Sequence, residues 1–260
     1  MATPSNAGRA QKARPVSQRS RLHSYWENLK SIVGALAIFL VLRAFVVEAY
    51  RIPSGSMIPT LLVGDWLFVN KAIFGAHVPL SRASLPAFRD PRRGDVVVFV
   101  SPFQADEESA GRDPTPTLVK RLVGTPGDTL YMRKGMLYVN GIAQRQGFGT
   151  NAPVPEMANS IDPLFDWQKK AGLTSSRFGS APAQPTHDDW GPLVVPTGKL
   201  FMMGDSRYNS KDSRYWGFVP RENVRGKPLF VYYSYNADDS DRPLPPLTDI
   251  RWSRIGHWIK

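Results

Sequence analysis

Residues 117–141 read TLVKRLVGTPGDTLYMRKGMLYVNG, and this stretch decides the fold class. Short runs of β-branched, aromatic and other apolar residues are parted by TPGD and by a lysine-glycine pair, the spacing of strands and tight turns. MRKGMLYVNG reads as a hairpin around Lys134 and Gly135, with Asn140 and Gly141 offering the next turn. Working outward, DWLFVNK (65–71), DVVVFVS (95–101), KLFMMGD (199–205) and PLFVYYSY (228–235) have the same character. The 21 glycines and 23 prolines among 260 residues supply the punctuation between them. No long amphipathic helices alternate with these runs, which argues against a doubly wound α/β sheet, and no internal repeat is visible. The expected body is mainly β, an antiparallel, mixed-topology and barrel-like arrangement of short strands.

Upstream the pattern changes. From Ile32 the chain runs IVGALAIFLVL, meets Arg43, and continues AFVV before Glu48. A helix over 29–50 would reach about 30 Å at 1.5 Å per residue, enough to cross a bilayer, with Arg43 near the far surface and Tyr25, Trp26 and Tyr50 at the interfaces. Arg9, Lys12, Arg14, Arg19, Arg21 and Lys30 precede the apolar core against a single Glu27. That asymmetry places residues 1–28 in the cytoplasm as a basic tail and residues 51–260 on the extracytoplasmic side. Two plainer readings compete: a buried core helix, and a cleaved secretory signal with its exit at Val47, Glu48 and Ala49.

The formal charge of +11 is partly this tail, and no basic platform interleaved with aromatics follows it, so nucleic acid is not an expected partner. The chain has no cysteine, which excludes disulfides and thiolate metal sites. No cofactor or metal is expected, and nothing sets the oligomeric state. Two stretches read as surface insertions: 102–116, acidic and rich in proline, and 144–196, weakly periodic, with room for short helices or a small subdomain.

The chemistry-bearing segments are three. PSGSMIPT (53–60) is turn-rich and presents Ser56, a weak nucleophile that needs a base within hydrogen-bond reach. Four histidines are available. His23 precedes the helix and His257 belongs to the C-terminal WSRIGHWIK, so His77 and His187 remain, the latter beside Asp188 and Asp189 as a conceivable Ser-His-Asp set. HExxH and SxxK are absent. A lysine can serve instead if burial lowers its pKa. In TLVKRLVG the side chains of Leu118, Lys120 and Leu122 share one face, which puts Lys120 on the more apolar row. The third segment, GDSRYNSKDSRYWG (204–217), packs serine, aspartate and arginine densely before closing on aromatics.

Taken together and in this order, SGSMxPTL, KRLVGTPGD and GDSRYNSKDSRYWG resemble the signature of bacterial type I signal peptidases, with GDVVVF at 94–99 and the terminal IRWSRIG extending the likeness. The resemblance implies a membrane-bound serine endopeptidase that removes signal peptides from exported preproteins. It implies Ser56 as nucleophile, Lys120 as general base and Ser54 as an oxyanion-hole hydroxyl. Ser210 would orient the lysine, and Asp212 with Arg214 would form a supporting ion pair. Ser206 and Tyr208 stand where the family commonly shows Asn and Asp, and Ile58 replaces a common Met. The family often carries a second membrane helix, and one candidate is present here.

The implied substrate lies extended against a strand edge, so residues two apart face the same way and small side chains are demanded at the first and third positions before the cut, an A-x-A site. Met57, Trp252 and Trp258 are candidates for contact with membrane lipid, with core burial the commoner fate of a tryptophan. Alternatives are a specialised Ser-Lys processing peptidase, such as one maturing a conjugative pilin, and a non-catalytic tethered β-rich binding domain.

Overall fold

A computed structural model describes residues 18–78, 81, 83–144 and 159–260, with side chains from residue 25. The chain divides into two units, 1–43 and 44–260. The first is helix α1, Gln18–Phe45 by its full bounds, whose described apolar side chains from Tyr25 to Leu42 are all exposed. Tyr25–Phe45 is long and apolar enough to cross a membrane.

The helix ends earlier than the expected 29–50. Val47–Arg51 is strand β1, paired antiparallel with β2 (Asp65–Asn70). The run AFVVEAYR is rich in β-branched and aromatic residues, and the cross-strand partners available to it outweigh continuation of the helix. Tyr50 is therefore a sheet residue, and cleavage after Ala49 would cut through a paired strand.

Among the described residues the body holds two antiparallel sheets. Their remaining strands are β3 (Val96–Val100), β4 (Thr117–Gly124), β5 (Thr129–Arg133), β6 (Met136–Val139), β7 (Ile142–Ala143), β8 (Trp190–Val194), β9 (Lys199–Met203), β10 (Val219–Pro220) and β11 (Val224–Ser234). Seven strands run in the order β1-β2-β11-β3-β4-β9-β10, and four in the order β7-β6-β5-β8. Short helices punctuate the chain: α2 (Ala105–Ser109), α3 (Trp167–Ala171), α4 (Ser213–Trp216) and α5 (Pro245–Thr248). The hairpin forms where its turn residues placed it: Lys134 and Gly135 have φ of 49° and 74°, Asn140 and Gly141 52° and 87°, the left-handed pairs of a tight reversal.

Strand periodicity feeds both faces of the large sheet. Val96 and Val98 pack with Met57, Leu61, Leu67 and Val231, whereas Val97 and Phe99 turn to Leu122, Leu200 and Met202. A strand buried on both sides reads as an unbroken apolar run, as VVVFV does. A third cluster fills the space between β9 and the small sheet, around Trp190, Leu193, Leu130 and Phe201.

The two presumed insertions are not merely surface elaborations. In the first, the α2 carboxylates of Asp106 and Glu107 hold Lys211. In the second, Phe165 is buried, Gln168 and Trp167 donate to the carbonyl of Arg214 at 2.8 and 3.0 Å, and β8 is an integral strand paired with β5. The Gly191-Pro192 pair masked β8 by reading as a turn. The rest of this stretch, 145–158, lies outside the described residues.

Candidate active site

Ser56 occupies a single 3-10 turn, Gly55–Met57, entered from an extended Ser54 (φ −142°, ψ 156°). Met57 anchors the turn from below. It is 1% exposed within the apolar cluster, which removes it as a lipid-contact candidate: the unbranched side chain fills the core beneath the nucleophile. The carbonyl of Ser56 accepts from the N–H of Ser206 at 3.1 Å, tying the turn to the polar loop after β9.

Lys120 comes from the middle of β4, opposite Val97 on β3, and its Nζ donates to Ser56 Oγ at 2.6 Å. Both are buried, at 4% and 8% exposure. The row reading holds, since Leu118 and Leu122, on either side of Lys120, pack into an apolar cluster. Burial pushes the lysine down to about 8, and the charge of Asp212 opposes that shift while Arg214 assists it. The result is an amine roughly a tenth neutral at pH 7, far more than the few parts in ten thousand of an ordinary lysine, and able in that form to accept a proton from a hydroxyl it already touches.

Behind the pair lies the loop 204–214. Ser210 Oγ donates to Asp212 Oδ2 at 2.9 Å, the backbone N–H of Gly204 donates to the same oxygen at 3.0 Å, and Arg214 Nε and Nη2 each donate to Asp212 at 2.8 Å. Asp212 and Arg214 are fully buried. Burial raises the Asp212 carboxyl, but the charge and hydrogen bonds of Arg214 overcome it and hold the group below the usual carboxylate range. Gly204 is where the loop meets the nucleophile: a Cβ there would fall 2.2 Å from Ser210 Oγ and 2.5 Å from the Ser56 carbonyl. Glycine is demanded by close approach rather than by φ.

Of the six sequence-derived site residues the structure brings some into contact and not others: Ser210 Oγ bonds Asp212, and no hydrogen bond joins it to Lys120 among the described residues. Ser56 and Lys120 touch, and Ser210, Asp212 and Arg214 form one hydrogen-bonded group. Ser54 is exposed at the mouth and lines the same groove as Ser56 and Lys120. His187, the residue of the competing triad, points elsewhere, with its ring nitrogens engaged by Asp188, Arg207 and Arg214. His77 meets the carbonyl of Glu222 and Arg225.

Sequence reading missed a second buried ion pair. Arg121, next to the lysine, donates to both oxygens of Asp205 at 2.8 and 2.7 Å, and Thr60 Oγ1 donates to Asp205 at 2.5 Å. This joins β4, the segment after Ser56 and the loop after β9 at one point. The signal was the KR pair itself: in a buried strand both faces are interior, so the arginine needs a partner as much as the lysine does.

A groove runs beside the pair, lined by Tyr50, Ile52, Pro53, Ser54 and Met57 on one side and Thr117, Leu118 and Val119 on the other. Residues 117–120 pair with β3 alone, because β9 joins β4 from Arg121 onward. Strand β1 is likewise at the edge of its sheet.

Comparison with known proteins identifies the family. Residues 25–233 match the family model described as signal peptidase, peptidase S26. A signal peptidase I of Pseudomonas aeruginosa is 36% identical over 241 residues, covering 87% of this chain and 77% of that protein. One from Aquifex aeolicus is 30% identical over 255 residues, covering 85% and 91%. A solved signal peptidase I from Enterococcus faecalis V583 matches at 27% identity over 54% of this chain and 97% of that one, with a TM-score of 0.32. On the extent of the family match and of these identities, the chain belongs to the signal peptidase family, peptidase S26, and is a serine endopeptidase.

Proposed function

We propose that the protein removes signal peptides from exported preproteins with a Ser56–Lys120 dyad, and the 2.6 Å contact between those two buried groups carries the reading. Neutral Lys120 takes the proton of Ser56 as Oγ attacks the scissile carbonyl, forming the C–O bond of a tetrahedral intermediate. The protonated amine then gives that proton to the leaving nitrogen as the C–N bond breaks. Water, deprotonated by the same lysine, hydrolyses the resulting ester and frees Ser56. The backbone N–H of Ser56 and the hydroxyl of Ser54 are the oxyanion donors in this scheme, and loss of one such donor costs on the order of 10²-fold or more in rate. Ser210, fixed by Asp212 and Arg214, orients the amine.

The substrate enters extended between the free edge of β1 and residues 117–120 of β4, making main-chain bonds to both. Side chains two apart then face the groove floor, and small residues at the first and third positions before the cut fit an A-x-A site. Helix α1 is the membrane anchor, with its basic N-terminal side in the cytoplasm and the body outside the cytoplasmic membrane. Lipid contact belongs to exposed aromatics of the body: Trp252 and Trp258 are 73% and 64% exposed rather than in the core, and Trp258 continues an aromatic row with Phe230, Phe68 and Tyr232 across β2 and β11. Such rings favour a membrane interface.

The test is cleavage of a preprotein with an A-x-A site in detergent. The parent releases the mature protein at that site, and Ser56→Ala and Lys120→Ala do not. Near-normal cleavage by Lys120→Ala ends the dyad reading. A parent that binds but never cleaves such a preprotein leaves only the binding-domain alternative.

A further inference from the structure

His187, which the proposed chemistry leaves unused, is 4% exposed in the loop before β8. Its ring is held on three sides. Nδ1 lies 2.7 Å from Asp188 Oδ1, and Nε2 meets Nη1 of Arg214 and stands 3.0 Å from the carbonyl of Arg207. The Tyr208 ring stacks on it at a centroid distance of 4.6 Å, while its hydroxyl donates to the other Asp188 oxygen at 3.2 Å. A guanidinium has no acceptor, so its N–H needs a lone pair, and the one it faces here belongs to a neutral imidazole. With the proton on Nδ1 toward Asp188 and the lone pair on Nε2 toward Arg214, the Arg207 carbonyl 3.0 Å from Nε2 accepts from Arg214 Nη2 rather than from the ring. Burial first, and then the charge of Arg214, push the histidine pKa down, which keeps the ring neutral. The charged groups around it are Asp188, Arg214 and, beyond Arg214, Asp212 and Arg207. Arg207 is itself lowered to about 10 by burial and then by Arg214.

The contact leads to the lysine. Asp212 favours the charged amine of Lys120 and Arg214 opposes it, so the balance at Lys120 depends on how closely the guanidinium covers the carboxylate. Asp212 grips the Nε and Nη2 side of Arg214, the carbonyls of Arg207 and Ser210 accept from Nη2, and His187 supplies the acceptor for Nη1. From this geometry we infer that His187 is a positioning residue: its neutral Nε2, oriented by Asp188 and Tyr208, holds Arg214 against Asp212 and so sets the field at Lys120. Tyr208, one of the departures from the common family pattern, belongs to this support. The inference rests on the Ser-Lys reading.

The test is kcat/KM against pH for the full chain in detergent, with thermal unfolding measured alongside. His187→Leu removes the acceptor and leaves Asp212 less shielded, so the acidic midpoint moves up by about half a unit or more, roughly a threefold loss on the acid side. His187→Gln, whose side-chain oxygen accepts from Arg214, returns the midpoint toward the parent. Where His187→Leu does not fold, Asp188→Asn, which removes the carboxylate that orients the ring and accepts from Tyr208 while keeping the Nε2 acceptor, shows a smaller shift of the same sign. A midpoint unmoved within about 0.1 unit in the folded variant, whatever its Tm, overturns the inference, since a purely structural histidine lowers Tm alone. Failure of the underlying reading is separately visible as full cleavage by Lys120→Ala.

Discussion

Gly204→Ala adds one methyl group at the tightest point of the site, and the structure says what it meets. The new Cβ would stand 2.2 Å from Ser210 Oγ, 2.5 Å from Ser210 Cβ and 2.5 Å from the carbonyl oxygen of Ser56. Ordinary contacts lie about 3.5 Å or more apart, so relief requires movement of about 1 Å. The Ser210 hydroxyl could swing away, at the cost of its 2.9 Å bond to Asp212, but its Cβ and the Ser56 carbonyl would still clash. The backbone must therefore shift, carrying with it the nucleophile. Overpacking of this kind costs about 1–3 kcal/mol in stability, and displacement of a reacting group by about 1 Å costs on the order of 10²-fold in rate. The expected variant unfolds a few degrees lower and cleaves preprotein about a hundredfold more slowly, with the loss mainly in kcat. Cleavage within threefold of the parent would show that the loop has slack and that the Ser56–Ser210 approach is not what places the nucleophile.

Lys120→Met should stabilise the protein at neutral pH while abolishing cleavage. With the folded pKa near 8 against the usual lysine value of 10.5, a buried amine that must be charged below pH 8 costs about 3 kcal/mol. The native state binds fewer protons than the unfolded one between those values, so the parent's deficit relative to the variant is full below pH 8 and fades as pH rises toward 10.5. Thermal unfolding in detergent at pH 7 and pH 10 checks it, and equal Tm differences at both would contradict it. Asp205→Ala takes from Arg121 its buried carboxylate and leaves the guanidinium only neutral acceptors such as the carbonyls of Gly94 and Lys260, which should cost about 3–5 kcal/mol in thermal unfolding; an unchanged Tm would mean the pair is idle. Lys211→Ala, whose ion pairs with α2 are partly exposed, should cost about 1 kcal/mol or less and leave kcat/KM within a few-fold, whereas loss of activity would place α2 in the catalytic machinery.

Local chemistry was legible in the residues, and long-range geometry was not. The hairpin at Lys134 and Gly135 follows from turn residues that tolerate positive φ, and VVVFV announces a strand buried on both faces. The apolar row around Lys120 follows from strand alternation alone. Its meeting with Ser56 depends on the curl and register of a sheet whose strands are far apart in sequence, and there the family resemblance supplied what periodicity could not. The helix end was misplaced because AFVVEAYR is apolar enough for a bilayer, and only the cross-strand partner β2 makes it a strand. Met57 looked free for lipid because its neighbours are turn residues, yet the turn points it inward. The 144–196 stretch hid β8 because Gly191 and Pro192 sit inside a paired strand. The exposure of Trp252 and Trp258 runs against the usual fate of large aromatics.

The most direct test of the Ser56–Lys120 pairing is the dependence of kcat/KM on pH, measured on a preprotein in detergent. An acidic limb with a midpoint near 8, absent along with turnover in Lys120→Ala, is the expected result. A profile flat from pH 6 to about 9, or one that keeps its limb when the lysine is gone, would mean that some other group takes the proton from the serine.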